Sequence, residues 1–142
     1  MILNFIYAFF ATVGFAVLFN IPRKEMIYAG LCGGLGWVVH MSLQGLDMSL
    51  VFTSFLGGLT VGLTSEYFAI RRKMPATVFV IPGMIPLVPG YGLYFSMLSI
   101  IEKNYEEALR VGFETLIVAT VIASAIIIST AVGKFFRIRR TA

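Results

Sequence analysis

Five stretches without a single Asp, Glu, Lys or Arg dominate this sequence: residues 1–22, 26–46, 48–65, 74–101 and 115–133, which are 22, 21, 18, 28 and 19 residues long and make up 108 of the 142 residues. Each is close to or longer than the roughly 18–20 apolar residues that cross a bilayer as a helix. Only 13% of the residues are charged and 58% are hydrophobic, with a mean hydropathy of +0.91. A soluble domain carries about 25% charged residues, and folded in water this chain would lack polar surface to cover its apolar bulk. That excludes an ordinary soluble enzyme, a nucleic-acid-binding module and a disordered protein. The expected class is an all-α polytopic membrane protein, a single transmembrane domain over residues 1–142 with almost no extramembrane part.

The net charge of +4 does not point to nucleic acid, because the basic residues sit in short loops between apolar runs, where they set orientation. Cys32 is the only cysteine. A lone Cys makes no intrachain disulfide or metal cluster, and this one reads as a small buried apolar residue. The first positive charge is Arg23, so the amino-terminal run has no basic lead-in, and it is too long for a signal-peptide core. It reads as a retained span, and no lipidation motif is visible.

The spans are expected at about 3–19, 26–43, 49–70, 76–101 and 112–133, with the fourth broken at 82–90. The second begins just after Pro22, a residue suited to a helix start. With five spans, Arg23, Lys24, Arg71, Arg72, Lys73, Lys134, Arg137, Arg139 and Arg140 share one face, and only Lys103 and Arg110 lie on the other. The positive-inside rule then places the N-terminus outside and the C-terminus in the cytoplasm, in the bacterial inner membrane. Gly30 with Gly34, Gly58 with Gly62, and Ala119 with Ala123 (beside Thr120 and Ser124) repeat small residues four apart. Such faces let helices approach closely in lipid. Packing within one bundle is the expected use, and docking of another subunit is the alternative.

Residues 81–92, IPGMIPLVPGYG, hold three prolines and three glycines in twelve positions. Proline donates no backbone hydrogen bond and clashes with the preceding turn, so a regular helix is not expected here. Non-helical backbone at membrane depth survives only when buried in protein or lining a water-filled cavity. The piece after the break, residues 91–101, would be about 17 Å long as a helix, roughly half the hydrocarbon thickness. Its N-terminus would present free N–H groups and partial positive charge inside the membrane. Half-helices of this kind build substrate sites in transporters, and a carboxylate suits that end. The candidate substrate-binding residues here are Pro82, Gly83, Pro86, Pro89, Gly90, Tyr91 and Tyr94. A kinked helix that only shapes the bundle is the alternative.

Glu66 is the only carboxylate well within a span. It lies about 7.5 Å, by helical rise, before Arg71. An intramembrane acid of this kind carries a proton or holds a polar cavity open, with Thr60 and Thr64 flanking its face. Snorkelling, or pairing with Arg71, is the plainer reading. His40 reads as a helix-end polar residue, Glu114 as a surface partner of Arg110, and Asp47 as the cap of the following helix. Tyr67, Phe68, Phe135 and Phe136 fit an aromatic belt. One His and one Cys, with no serine elbow, phosphate loop or paired metal ligands, leave no catalytic set, and no metal or cofactor is expected.

MPATVFVIPGMIPLVPGYGLYFSML, together with the earlier FNIPRKEMIYAGLCGGLGWVVH, resembles the threonine/serine exporter-like family, in particular its short YjjB-type membrane subunit. The resemblance covers essentially the whole chain in length, span count and motif order. It implies half a transporter, working beside a longer partner subunit that carries a hydrophilic region. The complete assembly exports threonine and serine in some members and succinate in the split system. The family's proline-glycine motif maps onto Pro82, Gly83, Pro86, Pro89 and Gly90. The expected function is therefore a subunit of a secondary exporter for small amino acids or dicarboxylates, driven by an ion gradient because no nucleotide motif is present. The alternative is a structural or regulatory membrane subunit whose partner holds the transport path. Membrane lipid, a small-molecule substrate and a second copy of the chain are the further expected partners.

Overall fold

The computed structural model describes the backbone of residues 1–141 and the side chains of residues 1–133. The side chains of Phe135, Phe136 and the basic tail, Lys134, Arg137, Arg139 and Arg140, lie outside the described residues. Six α-helices follow one another: α1 (Ile2–Leu18), α2 (Arg23–Gln44), α3 (Leu50–Arg72), α4 (Thr77–Gly83), α5 (Gly90–Ile101) and α6 (Tyr105–Thr141), with a 3-10 turn at Ile85–Leu87. No strand occurs among the described residues. By length and composition α2 and the 105–133 part of α6 can each cross a membrane, and α4 with the 3-10 turn plus α5 forms a third candidate bent by 55°. The apolar α1 has 17 residues.

The corners are tight. Asn20, Asp47, Lys73 and Lys103 each take positive φ, between 53° and 61°, and each follows the end of a helix. Asp47 therefore occupies a left-handed turn position, which Asp tolerates better than most residues. The cap of α3 is Ser49, two residues later, whose Oγ accepts from the Phe52 N–H at 3.4 Å.

Helix α3 is the centre of the bundle and packs against α2, α4 and α6. Its buried positions include Thr53, Ser54, Ser65 and Glu66. A helix wrapped by protein on several sides can carry such groups, whereas a lipid-facing helix cannot. The small-residue faces of α2 and α3 are used inside the chain. A Cβ at Gly30 or Gly34 would come within 2.7 Å of Phe9 or 2.6 Å of Phe5 on α1. One at Gly36 would strike Val61, one at Gly62 would strike Ser129, and one at Gly58 would touch Ala125 at 3.3 Å. On α6, however, Ala119, Thr120 and Ala123 point outward, and Val118, Ile122, Ala125 and Ser129 form the buried face.

Two apolar clusters fill the bundle. One joins Ala16, Ile21, Ala29, Cys32, Ala69 and Phe79; the other joins Val61, Leu87, Val118 and Ile122. Phe68 turns inward beside the first cluster, with its ring 6.3 Å from Phe79, so of the expected aromatic belt Tyr67 is the one left exposed here. The start of α2 is tied to the end of α3 by a bidentate pair: Arg72 Nε donates to Glu25 Oε2 at 3.0 Å and Nη2 to Oε1 at 2.8 Å. Glu25 is buried, so this pair is screened less than a surface one.

Candidate functional site

The proline-rich segment does not break where its first proline stands. Pro82 lies inside α4, and the helix runs on to Gly83, with the Met84 N–H donating to the Val80 carbonyl at 2.9 Å. One missing N–H is tolerated near a helix end. The break falls at residues 84–89: after the 3-10 turn, Val88 is extended (ψ 128°) and Pro89 follows with ψ 61°. Val88 is the residue before a proline, which is driven out of helical conformation by the proline ring. Helix α5 then starts afresh at Gly90.

Between this break and helices α2, α3, α5 and α6 lies a cavity of about 550 Å³. Pro86 to Gly92 form one wall, Val111 to Val118 of α6 another, and Trp37, His40 and Ser54 a third. Its rim carries Arg110, whose Nε donates to Glu107 Oε2 at 3.0 Å and whose Nη1 donates to Glu114 Oε1 at 3.2 Å. The expected pairing of Glu114 with Arg110 is thus present, with Glu107 added to it. Gly90 N–H donates to the Val88 carbonyl at 2.7 Å and Leu93 N–H to Pro89 at 3.2 Å. The N–H groups of Tyr91 and Gly92 have no backbone acceptor among the described residues. They belong to residues that line the cavity, and first-turn N–H groups carry the positive end of the helix dipole.

His40 is 6% exposed and stacks on Trp37, with ring centroids 5.4 Å apart. Its Nδ1 is buried without a hydrogen-bond partner. Most buried polar atoms are paired, and an unpaired one is a cost that packing alone does not explain. The wall also sets which glycines tolerate a side chain. A Cβ on Gly90 would meet nothing within 4 Å, whereas one on Gly92 would strike Thr115.

Of the candidate residues read from the sequence, Pro86, Pro89, Gly90 and Tyr91 meet at this cavity. Pro82 and Gly83 are buried one turn earlier, where a Cβ on Gly83 would press on Val61 at 3.1 Å and Cys32 at 3.3 Å. Tyr94 is 63% exposed and does not line the cavity. Glu66 and Thr64 are not brought to it either. Glu66 is buried against Gly133 of α6, about 18 Å of helical rise along α3 from the cavity residue Ser54. Thr64 Oγ1 bonds back to the Thr60 carbonyl at 2.7 Å.

The residue that sequence reasoning missed is His40. A signal for it exists: His40 stands one turn beyond Gly36 on α2, in line with the small-residue face that α3 covers. Trp37, Ser54 and Thr115 were missed as well, because nothing along their own helices marks them.

The description "Threonine/Serine exporter, ThrE" belongs to the family whose pattern matches residues 4–132. An uncharacterized protein of Haemophilus influenzae is 27% identical over 105 residues, which cover 74% of this chain and 35% of that protein. The chain thus spans about a third of the length of that curated relative. No solved structure matches.

Proposed function

The chain belongs to the threonine/serine exporter family, ThrE, and on that footing we propose that it is a membrane subunit of a secondary exporter for threonine- or serine-like amino acids or dicarboxylates such as succinate. In this reading α1, α2, α3, the bent α4–α5 pair and α6 are the five spans. The N-terminus is outside and the C-terminus in the cytoplasm of a bacterial inner membrane. In this reading the longer partner subunit, or a second copy, completes the pathway; the matched residues cover 35% of that relative.

The observation that carries the reading is the break itself. A 55° bend within an apolar segment stands beside a cavity. Irregular backbone survives at membrane depth only in such a place. The cavity's size falls within the range of small-molecule sites. Its chemistry suits a small zwitterion or dianion. The first turn of α5 offers N–H donors to a carboxylate, His40 and Ser54 offer polar side chains, and the rim carries Arg110 paired with Glu107 and Glu114. Glu66, near the opposite end of α3, serves in this reading as the cytoplasmic-side polar residue and the candidate proton carrier. An ion gradient supplies the driving force.

Efflux of labelled threonine or succinate from cells producing both subunits tests the proposal. Gly90→Trp adds bulk at the cavity wall, where a Cβ would meet nothing within 4 Å, so efflux should fall at least tenfold while membrane insertion is kept. Undiminished efflux would remove the cavity from the path.

A further inference from the structure

At the other end of the bundle, the first turns of α2 and the last turn of α3 form a second, shallower pocket of about 380 Å³, lined by Tyr28, Tyr67, Phe68, Arg71 and Arg72. We propose that this corner binds the phosphate of an anionic phospholipid headgroup, with phosphatidylglycerol as the type. The inference rests on the chain lying in a membrane and not on the transport reading.

Two differently held guanidinium groups meet here. Arg72 is fixed: its Nε and Nη2 are spent on Glu25, and its guanidinium carbon lies 4.7 Å from the centre of the Tyr28 ring. Its Nη1 makes no hydrogen bond among the described residues, so two donors on a rigid fork remain. Arg71 lies over the Tyr67 ring at 5.5 Å and pairs with no carboxylate among the described residues. A positioned donor pair next to an uncompensated charge is what a phosphate needs. The surrounding sequence strengthens the field. Arg23 and Lys24 precede Glu25, and Lys73 follows Arg72, so one acid stands against five basic residues at this corner.

The pocket also has an apolar exit. Tyr67 is 53% exposed, and Leu63, one turn deeper on α3, is 41% exposed. A lipid whose phosphate sits between Arg71 and Arg72 can run its acyl chains over Leu63, a contact that free phosphate cannot make. Basic pockets at helix ends, where a span leaves the hydrocarbon, are places where anionic headgroups bind.

The test uses the purified full-length chain in lipid nanodiscs of phosphatidylcholine with an equal share of phosphatidylglycerol, released for native mass spectrometry. The expected result is preferential retention of phosphatidylglycerol, reduced about fivefold by Arg71→Gln and unchanged by Lys103→Gln at the opposite end. Should Arg71→Gln fail to insert, the wild-type preference between the two lipids decides alone. Equal retention of both lipids by the wild type would overturn the proposal. So would undiminished retention by a well-inserted Arg71→Gln, or displacement of the lipid by millimolar inorganic phosphate, which would mark a site for a soluble anion.

Discussion

The two ends of the bundle are built on opposite principles. Near the Arg72 end, helices touch through glycine and small residues: Gly62 against Ser129, Gly83 against Cys32 and Val61, Gly133 against Glu66. Phe79 is fully buried there, and a bidentate ion pair locks α2 to α3. Near the Arg110 end the packing opens into a cavity with empty space beside Gly90, while Gly92 abuts Thr115; a buried polar atom is unpaired toward each end, His40 Nδ1 here and Ser65 Oγ there. The buried ion pair lies at one end and the candidate site at the other. Close packing transmits strain and tolerates little change, while a site that takes up a solute needs room.

The contrast is broken most directly by swapping bulk between the ends. Gly62→Leu forces a side chain into Ser129 and should destabilise the chain by about 3 kcal/mol, at the upper end of overpacking costs. Gly90→Leu should leave the melting temperature in detergent unchanged, since nothing stands in its way. Equal losses at the two positions would erase the distinction.

The next effect separates the two ionic groups. Glu25→Gln strands the Arg72 guanidinium at a partly buried helix junction, and a fall in melting temperature of several degrees is expected. Glu114→Gln weakens an exposed pair on α6, and exposed pairs contribute little, so its melting temperature should hardly move.

A smaller effect on stability, with a larger one on transport, is expected at His40. His40→Phe keeps the stack on Trp37 and removes the unpaired nitrogen. Stability should be unchanged or rise by about 1 kcal/mol, and efflux should fall by an order of magnitude. A parallel loss of stability and efflux would make His40 a packing residue. The smallest effect belongs to the outward face of α6, where Ala119→Leu should shift stability by less than about 0.5 kcal/mol.

Much of this architecture is legible in the amino-acid order because the bilayer constraint acts locally. Charge-free runs mark the helices, Pro22 marks the start of α2, and prolines in 82–89 mark a break. The glycine faces of α2 and α3 are visible as spacing, since a close helix contact demands small residues at every turn. What is hidden is which residue faces which. Glu25 and Arg72 lie 47 positions apart, and neither helix alone says that they meet. Glu66 stands out as an acid in an apolar run, yet its depth along α3 takes it away from the break, which His40, an unremarkable helix-end residue by spacing, reaches instead. Pro82 shows a finer limit. A proline near a helix end costs one hydrogen bond, so the helix passes through it and breaks only where Pro86 and Pro89 add to the loss.

The central claim is that backbone freed by prolines at 84–89 borders a solute-filled cavity. Maleimide accessibility in a Cys32→Ala background, with the proposed partner subunit present, tests it at single positions. Gly90→Cys should react with a membrane-impermeant maleimide and be slowed by threonine or succinate, the proposed solutes, while Gly83→Cys, packed between α2 and α3, should stay inert. Inert cysteine at both positions, or labelling at Gly90→Cys that no solute protects, would contradict it.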